Sequence, residues 1–239
     1  MKNIATINPA LYGGLVKVLS FLSQGKESTA VLSIKNGILD DMTNTGFVHA
    51  DLTSLFGENS IDFIDPAKTS KLLKLLSGGD QFAFIDDEEN NRYIVTNILS
   101  TVQIPKAMDS SNVIPPVLDT VLSSTKIDTD SVFNIDEAQK TLEADHVVLY
   151  LDNDHKVCKI GVQDTYKKNI VTGKNENELT KYQVFCFMPL KGSDYTYQIV
   201  KHSSSEDIWL KTTVDLDILE ITYYEKLAQA AEFDAFSLI

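Results

Sequence analysis

One order of elements is written twice along this chain. Strand, amphipathic helix, several strands, a short helix-like segment and further strands run through residues 1–106 and again through 123–228. A Pro-containing connector, 107–122, separates the copies, and a tail, 229–239, follows the second. A length of 239 residues accommodates one large domain or two of ordinary size. The repetition selects two, each of mixed α+β class.

The periodicities place the elements. Asn8-Pro9 opens the first helix, with Asn as N-cap and Pro in the first turn. Leu11, Leu15, Val18, Leu19 and Leu22 form its apolar stripe; Gly13, Lys17, Ser20 and Gln24 share another face, and Gly25 is the expected stop. Residues 29–35 alternate as a strand, and Asn36-Gly37 predicts a tight hairpin into 38–42. Strands at 47–52 and 60–64 follow. Asp65-Pro66 then starts a second helix, with Leu72, Leu73 and Leu76 on one side and Lys68, Lys71 and Lys74 on the other. Strands at 81–86 and 92–96 flank an acidic turn, and a last one ends at Ile104-Pro105.

In the second copy a short strand, 125–127, leads to a helix capped by Asp128 or Asp130 and running to about Ala144. Val132, Ile135, Ala138 and Leu142 are its expected inner face. Strands at 146–151 and 156–162 form a hairpin, and 167–178 is polar enough to read as a flexible loop. Strands at 179–187, 195–201, 208–213 and 216–225 complete the copy. Pro189 limits any second helix, at 188–191, to about one turn.

Little in the chain is arranged for chemistry. His49, His146, His155 and His202 show no zinc-type spacing with one another or with Cys158 and Cys186, so no metal or cofactor is expected. No Gly-rich phosphate loop and no nucleophile elbow appears. The two cysteines lie in apolar strand-like runs and read as buried reduced thiols. The acidic pairs fall in turns, where solvated charge is the plain explanation. There is no catalytic constellation, and an enzyme is the least favoured class. No hydrophobic leader or membrane-length run is present, so the expectation is an intracellular protein without membrane contact.

Charge divides the function classes further. The formal net charge is -13, the wrong sign for a simple nucleic-acid binder. The distribution over the surface matters more than the sum. Arg92 is the only arginine, so bidentate readout of base edges is excluded as a main activity. Lysines on helix faces remain as diffuse phosphate contacts, or as the wet side of surface helices.

Taken together, the helix, strand and Asn-Gly hairpin of 17–41, the following Asp41-Met42-Thr43-Asn44-Thr45-Gly46-Phe47-Val48, the Lys-rich helix and Gly-Gly-Asp of 65–84, and the Gly192-Ser193-Asp194-Tyr195 turn with its closing strands resemble the sliding DNA clamps. The resemblance covers nearly the whole chain and is closest to viral and eukaryotic-type clamps with two domains per subunit. It implies antiparallel sheets outside, two helices per domain on an inner face, and a homotrimeric ring. It also implies an encircled, non-specific DNA duplex, and tethering of a replicative DNA polymerase and a clamp loader through short peptide motifs. A viral clamp would work in the cytoplasm of a bacterial host. Carried over residue by residue, Lys17, Lys68, Lys71, Lys74, Lys140 and Lys191 would face DNA. Met42, Phe47, Ile104, Pro105, Ile114 and Leu227 would line an outer partner site; ordinary core packing is the competing explanation for these six. The chain departs from the family in its curtailed second helix, in the acidity around Lys140 and in the apolar tail with Phe233, Phe236, Leu238 and Ile239, which resembles the peptides clamps bind. Two further readings stand beside this one: a processivity subunit of the same fold that does not close into a ring, and an acidic β-rich structural protein of a virus particle.

Overall fold

A computed structural model describes residues 1–22, 31–42, 46–76, 78–107, 116–184, 194–216 and 219–229. The chain divides into two compact units, Met1–Pro115 with Asp215–Ile221, and Pro116–Val214 with Thr222–Ile239.

The first unit contains β1 (Lys2–Ile7), α1 (Pro9–Leu22), β2 (Val31–Lys35), β3 (Ile38–Met42), β4 (Gly46–Asp51), α2 (Thr53–Phe56), β5 (Ile61–Ile64), α3 (Pro66–Lys74), β6 (Phe82–Asp87), β7 (Arg92–Thr96) and β8 (Thr101–Pro105). Its strands are ordered β1-β6-β7-β8 and β5-β2-β3-β4. The Asn36-Gly37 hairpin forms as expected. Both residues have positive φ, 52° and 75°, and Lys35 pairs directly with Ile38. Only glycine fits at position 37, because a Cβ there would lie 2.3 Å from the Gly57 carbonyl oxygen.

The second unit contains β9 (Thr120–Ile127), α4 (Thr129–Thr141), β10 (Val147–Leu151), β11 (Val157–Val162), β12 (Tyr166–Asn169), β13 (Thr180–Val184), β14 (Asp194–Lys201), β15 (Ile208–Asp215), β16 (Glu220–Lys226) and β17 (Ala228–Gln229). Its orders are β9-β14-β15-β16 and β13-β10-β11-β12, with β17 beside β13. Adding eight to each strand number of the first unit reproduces both orders. The repeat in the sequence is therefore a repeat of hydrogen-bonded topology. Even the bulges correspond: the β1–β6 ladder slips between Asn3 and Ala5, and the β9–β14 ladder between Ile199 and Val200.

Several expectations need correction. The strand before α4 is eight residues long rather than three, and α4 stops at Thr141. The last long strand begins at Glu220, not at 216. The short helix α2 was not legible as a helix. The polar stretch expected to be a loose loop is fastened down. It begins with β12, which pairs with β11, and ends in one 3-10 turn, Glu176–Glu178. Lys174 bridges to Asp152 at 2.9 Å, and Glu176 spans Lys159 and Lys167 at 2.9 and 3.1 Å. Leu179 then buries itself with Val148, Tyr150 and Cys158. Polar composition concealed these pairings because each partner is distant in sequence. Burial pushes the Asp152 carboxyl up, but Lys174 and the backbone N–H groups of Lys156 and Asp154 outweigh it and hold it at about 2.

Cys158 is a buried free thiol; Cys186, the Gly25 helix stop and the 188–191 turn lie outside the described residues. No helix among the described residues is long and apolar enough to cross a membrane.

Candidate nucleic-acid interface

The lysine-bearing surface of the first unit is built from two helices that share their buried sides. In α1, the Asn8 carboxamide oxygen accepts from the Leu11 N–H at 2.9 Å, capping the helix ahead of Pro9. Leu15, Val18, Leu19 and Leu22 are buried as the helical spacing requires; Leu11, expected with them, is only half-buried, and Tyr12 is buried in addition. In α3, the Asp65 side chain accepts from the Lys68 N–H at 2.9 Å, and Pro66 occupies the first turn. Pro66, Thr69, Ser70 and Leu73 are buried.

Hydrogen bonds hold the helices side by side. The Tyr12 hydroxyl donates to the Leu73 carbonyl at 2.6 Å, and the Ser20 and Ser70 hydroxyls meet at 2.9 Å. Below them the Tyr12 ring stacks on Phe82 at 3.8 Å. A helix pair fastened in this way presents a fixed outer face. Burying one side of α3 leaves Lys68, Lys71 and Lys74 exposed, while Lys17 on α1 is half-buried. None of these four makes an ion pair with another described residue. The outer side of α1 is also open at Gly13, where a Cβ would meet no atom within 4 Å. Lys71 and Lys74 lie in the last turn of α3, where the helix dipole favours cations.

The helix of the second unit that corresponds to α1 is α4, and it differs. Asp128 caps α4 by accepting from the Ser131 N–H at 2.8 Å and its hydroxyl at 2.6 Å. These bonds, the hydroxyl's foremost, hold the Asp128 carboxyl below the usual carboxylate range. Ser131, Val132 and Ile135 are buried; Ala138 and Leu142, expected inside, are only half-buried. The exposed side carries Asp130, Asn134, Glu137 and Lys140, and Lys140 is tied to Asp136 at 2.5 Å. This surface is acidic, with its one lysine engaged. Lys191 lies outside the described residues.

The residues expected at an outer partner site do not form one exposed group. Phe47, Ile104 and Leu227 are buried, Met42 and Pro105 are exposed, and Ile114 lies outside the described residues. Met42 and Phe47 do face each other across the β3–β4 ladder. The sequence reading missed the Ser20–Ser70 link, since two small polar residues fifty positions apart give no signal of contact. It also missed the exposure of Leu75, Ile98 and Leu99. The adjacent aliphatics at 98–99, between two strands where turn residues are usual, were the available clue. Among the described residues no group of His, Cys, Asp or Glu could hold a metal ion.

No protein-family model and no curated protein matches the chain. Solved structures do. The PCNA2–PCNA3 complex of Sulfolobus tokodaii superposes with a TM-score of 0.59 at 13% identity, covering 93% of this chain and 98% of that one. The PCNA of A. fulgidus, bound there to the C-terminal region of FEN-1, gives 0.59 at 16% identity over 95% and 98%. This chain has the sliding-clamp fold. The bacterial clamp, the β subunit of DNA polymerase III, shares it: that of Thermotoga maritima gives a TM-score of 0.57 at 11% identity. There the match covers 95% of this chain but 64% of the longer bacterial one. The clamp fold thus extends through both units, while identity is too low to carry residue roles across.

Proposed function

We propose that this protein is a non-enzymatic sliding clamp that encircles duplex DNA without reading its sequence and tethers a replicative DNA polymerase. The observation that carries the reading is the α1–α3 surface: four lysines, unpaired among the described residues, on a rigid helix pair within a clamp fold. Lysines of this kind attract phosphates without fixing register, so the protein can stay on DNA and still move along it. Retention would come from closure around the duplex, and tethering from the high effective concentration that encirclement gives a bound polymerase.

In this reading the domains are residues 1–106 and 123–228 with a connector at 107–122. The ring is a homotrimer of six domains, placed on DNA by a clamp loader; if the protein is viral, it works in the cytoplasm of a bacterial host. Polymerase and loader would dock through short peptides at the surface around Met42 and Pro105, near Phe47, Ile104, Ile114 and Leu227. Subunits would join head to tail through end strands, β8 of one copy against β12 of the next; β8 ends the order β1-β6-β7-β8 and β12 ends the order β13-β10-β11-β12. Lys17, Lys68, Lys71 and Lys74 would face the duplex, with Lys140 and Lys191 contributing less.

The test is topological. Protein assembled on a nicked circular plasmid should stay bound through gel filtration at moderate salt and be lost when the plasmid is linearised. Equal retention on circular and linear DNA would sink encirclement. The acidic surface of α4 favours a second reading, in which the same fold binds DNA as an open monomer or dimer through its first unit alone. Sedimentation equilibrium separates the two by mass.

A further inference from the structure

One connection is fastened by different means in the two copies. Between β4 and β5 the chain forms α2 and buries Leu52, Leu55 and Phe56. Between β12 and β13, its counterpart, residues 171–178 are all exposed, and Leu179 is buried. Buried apolar side chains hold a segment more firmly than exposed ion pairs, which salt screens.

Charge holds the segment of the second copy. Lys174 reaches Asp152 at 2.9 Å, and Glu176 reaches Lys159 at 2.9 Å and Lys167 at 3.1 Å. In each pair the segment supplies the exposed partner, 42% for Lys174 and 43% for Glu176. The sheltered partner comes from the sheet side: 8% exposed for Asp152, 12% for Lys159 and 25% for Lys167. Two buried groups lie beside these pairs. Burial and the Asp152 carboxylate push the Cys158 thiol up while Lys174 opposes them, so both charges stand close to the sulfur. Burial likewise raises the Tyr150 hydroxyl, with Lys167 opposing and Glu176 adding to the rise. The Lys167 Nζ is 5.6 Å from the centre of the Tyr150 ring. Gly161 leaves room for that contact: a Cβ there would lie 3.2 Å from the Lys167 stem and 3.4 Å from the ring.

Two anchors bound the segment. At one, the Cys158 carbonyl accepts from the Ile170 and Val171 N–H groups at 2.9 and 3.0 Å. Cys158 is free to do so because it is the extra residue of a bulge: Tyr150 pairs with Lys159 and Leu151 with Val157. At the other, Leu179 is buried with Val148, Tyr150 and Cys158. Between the anchors Gly173 takes a left-handed φ of 84°. Lifting the segment strands no buried charge. Asp152 keeps the Asp154 and Lys156 N–H groups, each at 3.0 Å, while Lys159 and Lys167 gain water.

We infer that residues 172–178 form a flap, hinged at the Cys158 carbonyl and at Leu179, that rising salt releases from the sheet of the second unit, opening Cys158 and Tyr150 to solvent. The flap needs neither DNA nor a second copy of the chain.

The experiment uses the full chain with Cys186→Ser, which leaves Cys158 as its one thiol. N-ethylmaleimide, an uncharged reagent, is added in excess at about 0.05 M and about 1 M sodium chloride, and labelling is followed by intact-mass spectrometry. Labelling should be roughly 10-fold faster at the higher salt. Lys174→Met/Glu176→Gln in the same background should already be labelled roughly 10-fold faster at low salt and should respond little to more. A second reporter separates flap opening from unfolding of the unit. Val147→Cys, with Cys158→Ala and Cys186→Ser, puts one thiol on the other face of the same sheet, because neighbouring residues of β10 alternate. Its labelling should stay slow at both salts. Cys158 labelling that moves with neither salt nor substitution overturns the flap. A Val147→Cys thiol that accelerates together with Cys158 overturns it too, since the unit then opens as a whole. Should the double variant misfold, the salt series on the Cys186→Ser chain decides by itself.

Discussion

The α1–α3 pair of the first unit and α4 of the second bury similar surfaces and expose opposite ones. Each helix is capped by an Asp or Asn side chain and seats an apolar stripe within its unit. Outward, α1, the counterpart of α4 in the repeat, shows Lys17, and α3 adds Lys68, Lys71 and Lys74, all without an ion pair among the described residues; α4 shows Asp130 and Glu137 and a lysine held by Asp136, and the place of α3 in the second copy, between β13 and β14, falls largely outside the described residues. The difference teaches that a duplicated fold constrains its interior and leaves its surface free to diverge. A leucine facing inward is fixed by packing worth about 1.5–3 kcal/mol. A surface charge contributes a few tenths and can be replaced at little cost to stability.

The strongest way to break this comparison is to make the two surfaces alike. Replacing Lys68, Lys71 and Lys74 with Glu should weaken binding to a short duplex by about 1,000-fold at low salt. The Ala variants should flatten the slope of log K against log salt by about 0.9 for each phosphate that no longer meets a lysine. Fluorescence anisotropy across a salt series reads both. Unchanged affinity would mean that α3 is only a wet surface, as the structural-protein reading requires.

Capping gives the next effect. Asp128→Ala should destabilise by about 1 kcal/mol, through loss of the bonds from Ser131. Asp65→Ala should cost more, about 2 kcal/mol, because Asp65 also holds a left-handed φ of 51° that alanine tolerates poorly. Urea denaturation of both variants compares the helices directly, and equal losses would remove the backbone argument.

A smaller, pH-dependent effect follows from the same cap. The folded pKa of Asp128 is depressed, so its contribution is complete above the unfolded value and fades as pH falls through the folded one. Asp128→Asn keeps a capping oxygen but cannot titrate. Its stability relative to the unsubstituted chain should rise as pH drops from about 5 toward about 2, and a constant difference would refute the linkage.

The smallest effect concerns α4. Asp136→Ala frees Lys140 and should change stability by less than about 0.5 kcal/mol. It should steepen the salt dependence of DNA binding by at most about 0.9, the contribution of one neutralised phosphate. A larger gain would show that α4 faces the duplex closely and that Asp136 restrains it.

Much of the fold was legible. The Asn-Gly hairpin, the caps at Asn8, Asp65 and Asp128, and the stripe of α1 are local signals read by local rules. What failed was non-local. The 167–178 stretch looked loose because Lys174 and Asp152, or Glu176 and Lys159, meet only after the chain turns back. Of the candidate site, the lysine row of α3 was visible in its spacing. For Phe47 and Ile104 the sequence left core packing and an outer partner site side by side, because an aromatic or aliphatic residue near a turn can face either way; both are buried.

The amino-acid order by itself determined the repeat, the helix caps and the positions of the charges along the chain, because those depend on residues a few positions apart. Tertiary structure alone decided which lysines stay unpaired among the described residues, which aliphatics are left in solvent at 75, 98 and 99, and that both copies adopt one strand order. Each of these depends on which distant partner comes within a few ångströms, and spacing along the chain does not encode that distance.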